Sequence, residues 1–128
     1  MRLYLFMFLM VFAACSSSMQ SFSGETSLVE GAPQQIDGLR LELLNVVEDS
    51  RCPQGVECFW AGRFVANLSV QSASFSGPML ISSVLPTTFT DKDAVYTLQV
   101  VQVFPDPAVR IDVDRYRVTV AVTEKVKN

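Results

Sequence analysis

From residue 39 onward, apolar and polar side chains alternate with a period of two. Leu39, Leu41 and Leu43 share one parity while Arg40 and Glu42 take the other, the pattern of a strand with one buried face. Parity then passes to Leu44 and Val46, which predicts a bulge or bend near Leu43. Phe64, Ala66, Leu68 and Val70 form a second apolar face, with Arg63, Asn67, Ser69 and Gln71 opposite. Met79 to Leu85 reads as a short strand bracketed by Gly77-Pro78 and Pro86. Tyr96, Leu98 and Val100 open another strand, which changes register before Val101 and Val103 and ends at Pro105. On the last strand Tyr116, Val118, Val120 and Val122 face inward, with Arg117, Thr119 and Thr123 outward. No useful window sustains a 3.6-residue period, and the six prolines fall between the apolar runs, away from ladder positions. The pattern predicts an all-β chain: an antiparallel β-sandwich, immunoglobulin-like in outline, with a small barrel as the alternative.

The N-terminus breaks this rhythm. Leu3 to Ala14 is an apolar run of 12 residues after the lone basic Arg2. That is too short for a permanent transmembrane helix and suited to a secretory signal. Val11-Phe12-Ala13-Ala14-Cys15 resembles the bacterial lipobox, in which small residues precede a cysteine that receives lipid before cleavage. Phe12 stands where leucine is most frequent, and an ordinary signal cut near Ala13 or Ala14 would leave Cys15 as a free thiol. An unpaired exposed thiol is a liability in an oxidising compartment, so lipidation of Cys15 is the expectation. Ser16, not aspartate, follows the cysteine. By resemblance to bacterial sorting signals this points to an outer-membrane lipoprotein facing the periplasm. Residues 1–14 are thus expected to be a lipoprotein signal peptide, 15–27 the lipidated cysteine and a serine-rich flexible tether, and 28–128 the sandwich. A first strand near Leu28-Val29 is the other reading of the tether's end.

Composition narrows the function classes. Without residues 1–14, 114 of the 128 residues remain, enough for one domain; losing Arg2 takes the net charge from −3 to −4. No basic cluster appears, which argues against nucleic acid or anionic lipid as a partner. Histidine is absent, removing the commonest general base, the usual transition-metal ligand and every histidine-containing triad. With Cys15 set aside, Cys52 and Cys58 are an even pair in an exported protein, so a disulfide is expected; zinc would need further ligands that the chain barely offers. A loop this short contributes roughly 2 kcal/mol in the chain-entropy model, fixing local shape more than it holds the fold.

Asp49-Ser50-Arg51-Cys52-Pro53-Gln54-Gly55-Val56-Glu57-Cys58-Phe59-Trp60-Ala61-Gly62 is the densest cluster of special residues. Here the chain resembles a family of small exported bacterial proteins, many of them lipoproteins, that carry Asp-Ser-Arg-Cys-Pro followed by Cys-x-Trp-x-Gly. The resemblance extends loosely to Phe104-Pro105-Asp106-Pro107 and the Tyr116 strand; it implies location and fold but no reaction.

The residues themselves admit two readings. In the structural one, Pro53 and Gly55 turn the chain, Trp60 packs over the disulfide, Gly62 allows a tight entry into the next strand, and Arg51 pairs with Asp49 or caps carbonyls. In the binding one, Asp49, Arg51, Phe59 and Trp60 form a partner-binding edge, since aromatics and arginine dominate protein interfaces. Burial of Phe59 and Trp60 with Arg51 paired internally favours the first; exposure favours the second.

The remaining candidates are weaker. Asp91-Lys92-Asp93 and Asp112-Val113-Asp114 lack the further oxygen ligands and glycine of a calcium loop and read as turns. No serine lies in a G-x-S-x-G elbow, and Lys92, Lys125 and Lys127 are expected in a turn and a frayed C-terminus. The chain is therefore expected to be non-enzymatic, without catalytic residue, metal or cofactor. It is read as a lipid-anchored envelope β-domain, protein-binding or structural, held to a membrane by its lipid and meeting an envelope protein. An envelope enzyme inhibitor acting through the 49–62 loop is the alternative, and a carboxylate-based hydrolase a second one.

Overall fold

A computed structural model describes residues 21–127 apart from 54, 61 and 108–114. The signal segment, Cys15 and the Asp112–Asp114 pair lie outside the described residues. Eight strands follow in order: β1 (Phe22–Val29), β2 (Gln34–Ile36), β3 (Leu39–Asp49), β4 (Phe64–Gln71), β5 (Ser76–Ser82), β6 (Thr87–Asp91), β7 (Ala94–Phe104) and β8 (Arg117–Val126). They build two antiparallel four-stranded sheets, β1-β8-β7-β6 and β2-β3-β4-β5. The fold is a β-sandwich, and neither sheet closes into a barrel. Its strand order is simpler than the interleaved one of an immunoglobulin domain, because β2 to β5 and β6 to β8 each run as a meander.

The alternation read along the chain is the alternation that is buried. Leu39, Leu41 and Leu43 face Phe64, Ala66, Leu68 and Val70 across the β3–β4 ladder, and Val118, Val120 and Val122 close the core from β8. Tyr116 packs against this core at its edge, half-buried. Phe75, Phe89 and Tyr96 continue it as a ring stack, with centroids 5.2 Å apart at each step.

Register shifts occur where parity changes. Between Leu43 and Asn45, and again between Val46 and Glu48, β3 carries one residue more than β4, so Leu44 and Val47 have no cross-strand partner. Val101 holds the same position in β7. All three are exposed. Each bulge thus turns an apolar side chain out of the sandwich.

Several boundaries differ from expectation. β1 begins at Phe22, so residues 22–27 of the expected tether are a strand paired with β8 from Glu124 to Thr119. Its serines and threonine hide a pattern in which one residue in two is only partly exposed. β5 ends at Ser82, leaving Val84 and Leu85 in the following loop, and Pro78 lies inside it. Proline is tolerated there because β5 is an edge strand. Lys125 sits within β8 and not in a frayed tail, whereas Lys92 does occupy the β6–β7 turn, at φ 50°. β2 and β6, of three and five residues, are too short to show a period.

Candidate functional site

The β3–β4 connection carries the densest chemistry, and its geometry starts at the end of β3. Asp49 and Arg51 form a two-pronged ion pair: Arg51 Nε donates to Asp49 Oδ1 at 2.8 Å and Nη2 to Oδ2 at 3.0 Å. The guanidinium is not spent there. Nη1 donates to the Val103 carbonyl at 3.0 Å and Nη2 to that of Pro105 at 2.7 Å, both at the end of β7 in the opposite sheet. The Tyr116 hydroxyl completes the set by donating to Asp49 Oδ2 at 3.0 Å. Below it, the guanidinium carbon lies 5.7 Å from the centre of the Phe64 ring, within cation–π range. Arg51 thus fastens one sheet to the other with a planar, multiply hydrogen-bonded group that a lysine cannot imitate.

Beyond this clamp the chain leaves the sandwich and turns back. Cys52 and Cys58 are bonded to each other, with Cα atoms 6.0 Å apart. Gly55 takes φ 78°, a left-handed conformation that side chains disfavour. On the return, Trp60 Nε1 donates to the Ser50 carbonyl at 3.0 Å. Gly62 follows where a Cβ would stand 2.1 Å from the Ser50 carbonyl oxygen, so only glycine lets the two legs of the loop approach this closely. Ser50 also accepts the Arg63 N–H at 3.1 Å and donates to Glu48 at 3.1 Å. The base of the loop is therefore fixed independently of the disulfide.

The four candidate binding residues divide into two pairs. Asp49 and Arg51 turn inward, their side chains only 5% and 18% exposed. Phe59 and Trp60 turn outward: Phe59 is fully exposed and Trp60 58% exposed. Trp60 meets the loop through its indole N–H while its ring keeps most of its surface in solvent. The structural reading thus describes one pair and the binding reading the other.

Sequence reasoning did not find the apolar groove beside the loop. Val47, Val65, Leu80, Val84 and Leu85 line a volume of about 650 Å³, with the Glu48–Arg63 ion pair at its rim, Nη2 to Oε2 2.9 Å. That bond to Arg63 holds the Glu48 carboxyl below its usual range, and its partner's pKa is raised. The available signal was the double change of parity around Leu43, which places Val47 outward.

At the far end of the sandwich another polar group joins the sheets. Asp37, in the β2–β3 turn at φ 45°, shares a hydrogen bond with Glu124 of β8. That bond, partial burial and the Asp37 charge raise the Glu124 carboxyl above the usual carboxylate range. Burial and the Glu124 charge likewise push the Tyr96 phenol up. Neither acid lines the groove. Asp91 is buried and receives the Ser74 hydroxyl, closing the β4–β5 turn onto β6. Among the described residues, no three side chains of the usual metal-ligating types gather. No family model matches the chain, and no curated protein or solved structure matches it.

Proposed function

We propose that this protein is a non-enzymatic, lipid-anchored β-domain of the bacterial envelope that binds a protein partner through Phe59 and Trp60. One observation carries the reading: two aromatic side chains stand in solvent on a loop whose base is held by Arg51, Ser50 and Gly62 and whose tip is closed by a disulfide. Exposed aromatics on a pre-ordered loop lose little entropy on binding and supply the residue types that carry interface energy. The resemblance of the 49–62 segment to small exported lipoproteins supports the location, as do the disulfide and the Cys15 motif.

The direction of β1 supports an orientation. The chain enters the sandwich at Phe22, paired with Glu124, whereas Asp49 and Arg51 meet the end of β7 near Phe104, which pairs with Arg117. The aromatic loop lies at the end opposite the tether, roughly 25–30 Å away along eight-residue strands. An anchor at Cys15 then presents the loop away from the outer membrane, toward the periplasm. The same exposure suits a second reading, in which the loop blocks an envelope enzyme.

The test has two parts. Intact mass of the membrane-bound protein is expected to show a diacylglycerol-type increment on Cys15, and Cys15→Ser to lose that increment and keep residues 1–14; a wild-type protein without the increment removes the anchor. Capture of envelope proteins by the exported domain is expected to be lost in Phe59→Ala/Trp60→Ala with its far-UV dichroism unchanged. Capture unaffected by that pair removes the loop as the binding edge.

A further inference from the structure

Arg40, Glu42, Asn67, Ser69 and Gln71 keep most of the outer face of the β2–β5 sheet polar, as is ordinary for a solvated antiparallel sheet, but its corner beside the 49–62 loop is apolar. Val47, Leu80, Val84 and Leu85 are exposed there and, with Val65, form the walls of the groove. Its volume of about 650 Å³ lies within the range of sites that enclose compact apolar groups. The charged residues in its lining are Glu48 and Arg63, and each neutralises the other. A charged occupant gains nothing from such a surface, and an uncharged ring or chain gains burial.

The N-terminal segment left by processing at Cys15 is too short to reach this groove. Cys15 to Ser21 is seven residues, at most about 24 Å when extended, and it starts at the other end of the sandwich on the other sheet. The groove's complement, however, stands beside it. Ser50 donates to Glu48 and accepts from Arg63 at the groove's rim, and its carbonyl accepts the Trp60 indole N–H. A single residue therefore connects an aliphatic hole to an aromatic knob, and neither fills the other within one molecule, because Phe59 and Trp60 remain exposed.

We propose that Phe59 and Trp60 of a second copy occupy this groove, in a two-fold dimer where each loop fills the groove of its partner. A knob and a hole on one surface are what a self-complementary, closed contact requires. The arrangement covers the exposed aromatics and the apolar groove together. The inference rests on reading the loop as a binding edge and names what it binds.

Sedimentation equilibrium of the chain from position 15 onward, carrying Cys15→Ser and exported behind a cleavable signal that needs no lipid, tests it, because that substitution precedes every strand. A reversible monomer–dimer equilibrium is expected. Phe59→Asp (knob) and Leu80→Asp (hole) should each weaken it by about tenfold or more, since each buries an unpaired charge. Val84→Asp, in the loop after β5, replaces the hole variant if Leu80→Asp does not fold. Mixing knob and hole variants should restore part of the association, because the mixed pair keeps one intact knob in one intact hole while its other contact sets two introduced acids together. A wild-type chain that stays monomeric, or a mixture that regains nothing, overturns the dimer. A monomer that still captures an envelope protein through Phe59 and Trp60 overturns the dimer alone and leaves the loop reading standing. A dimer formed in the expected way without such capture supports the inference and makes the second copy the loop's partner.

Discussion

The two ends of the sandwich are tied by opposite chemistry. At one end, where the chain enters through Phe22, an acid meets an acid: Glu124 shares a hydrogen bond with Asp37, beside the Tyr96 phenol. At the other, Asp49 meets Arg51, which also takes two carbonyls of the opposite sheet and sits beneath Tyr116. Each end joins sheet to sheet through a carboxylate with a tyrosine beside it. Only one adds a cation. The pairing of two acids depends on a proton, whereas the arginine clamp holds at any pH where Asp49 is ionised. The 49–62 loop therefore stands on a cation-held base, and the end where Phe22 enters does not.

The largest expected effect comes from breaking the clamp. Arg51→Ala leaves the Asp49 carboxylate, only 5% exposed, without its cation and strips two carbonyls of their donor. Removing one partner of such an enclosed pair should cost about 3 kcal/mol, read by denaturant unfolding. Arg51→Lys should recover only part of this, because an ammonium cannot serve Asp49 in two-pronged fashion and reach both carbonyls. A stable Arg51→Ala protein would reduce the clamp to decoration.

Next comes the loop's base. In Gly62→Ala the new methyl would meet the backbone of Ser50 and Arg51, at 2.1 Å from the oxygen and 2.7 Å from Cα. Backbone on both sides leaves no flexible side chain to yield, so a loss of about 2 kcal/mol is expected, with the Trp60–Ser50 hydrogen bond disturbed. Trp60 fluorescence should shift along with Tm. The disulfide should matter less to the fold than to the loop. Cys52→Ser/Cys58→Ser removes roughly 2 kcal/mol or less of chain-entropy stabilisation and keeps the Arg51, Ser50 and Gly62 contacts. Far-UV dichroism is expected to persist while loop-dependent binding falls; the reverse order would place the disulfide within the fold's foundations.

How legible the two ends were follows from what each is made of. The core was readable because Leu39 to Leu43 and Phe64 to Val70 alternate strictly, and local alternation is the signal that burial leaves in a strand. The bulge near Leu43 was readable for the same reason, as a break in parity. β1 was hidden because Ser23, Thr26 and Ser27 are polar on an edge strand whose partner, β8, lies more than ninety residues away. At the site, the disulfide followed from cysteine arithmetic and the Asp49–Arg51 pairing from proximity in sequence. Capping of carbonyls by Arg51 was read as the alternative, but which carbonyls was not, since Val103 and Pro105 contribute backbone groups that no residue type announces. The directions of Phe59 and Trp60 were equally unreadable: a large aromatic is as compatible with a core as with an interface until its surroundings are built. The groove was missed because it is assembled from Val47, Leu80 and Val84, which come from one bulge, one edge strand and one loop.

The proton at the Phe22 end gives the smallest effect and the sharpest contrast with the clamp. Glu124 binds its proton more tightly in the folded protein than its ordinary value of 4.5 would allow. Such a group contributes stability that is fully present below pH 4.5 and is lost as pH rises through the elevated folded value. Glu48, lowered by Arg63 at the clamped end, has the opposite sign: its contribution is present above 4.5 and fades as pH falls through its lowered value. Glu124→Gln mimics the protonated acid at every pH. The Tm of wild type minus that of the variant should therefore decline between pH 4.5 and neutrality, by about 2 °C because both groups are partly solvated. Glu48→Gln should show the reverse trend, wild type gaining on the variant as pH rises, and added salt should shrink it, because the Glu48–Arg63 pair is the more exposed. Parallel trends in the two variants would mean that the two ends answer to pH alike, and that the distinction between a proton-held entrance and a cation-held platform is mistaken.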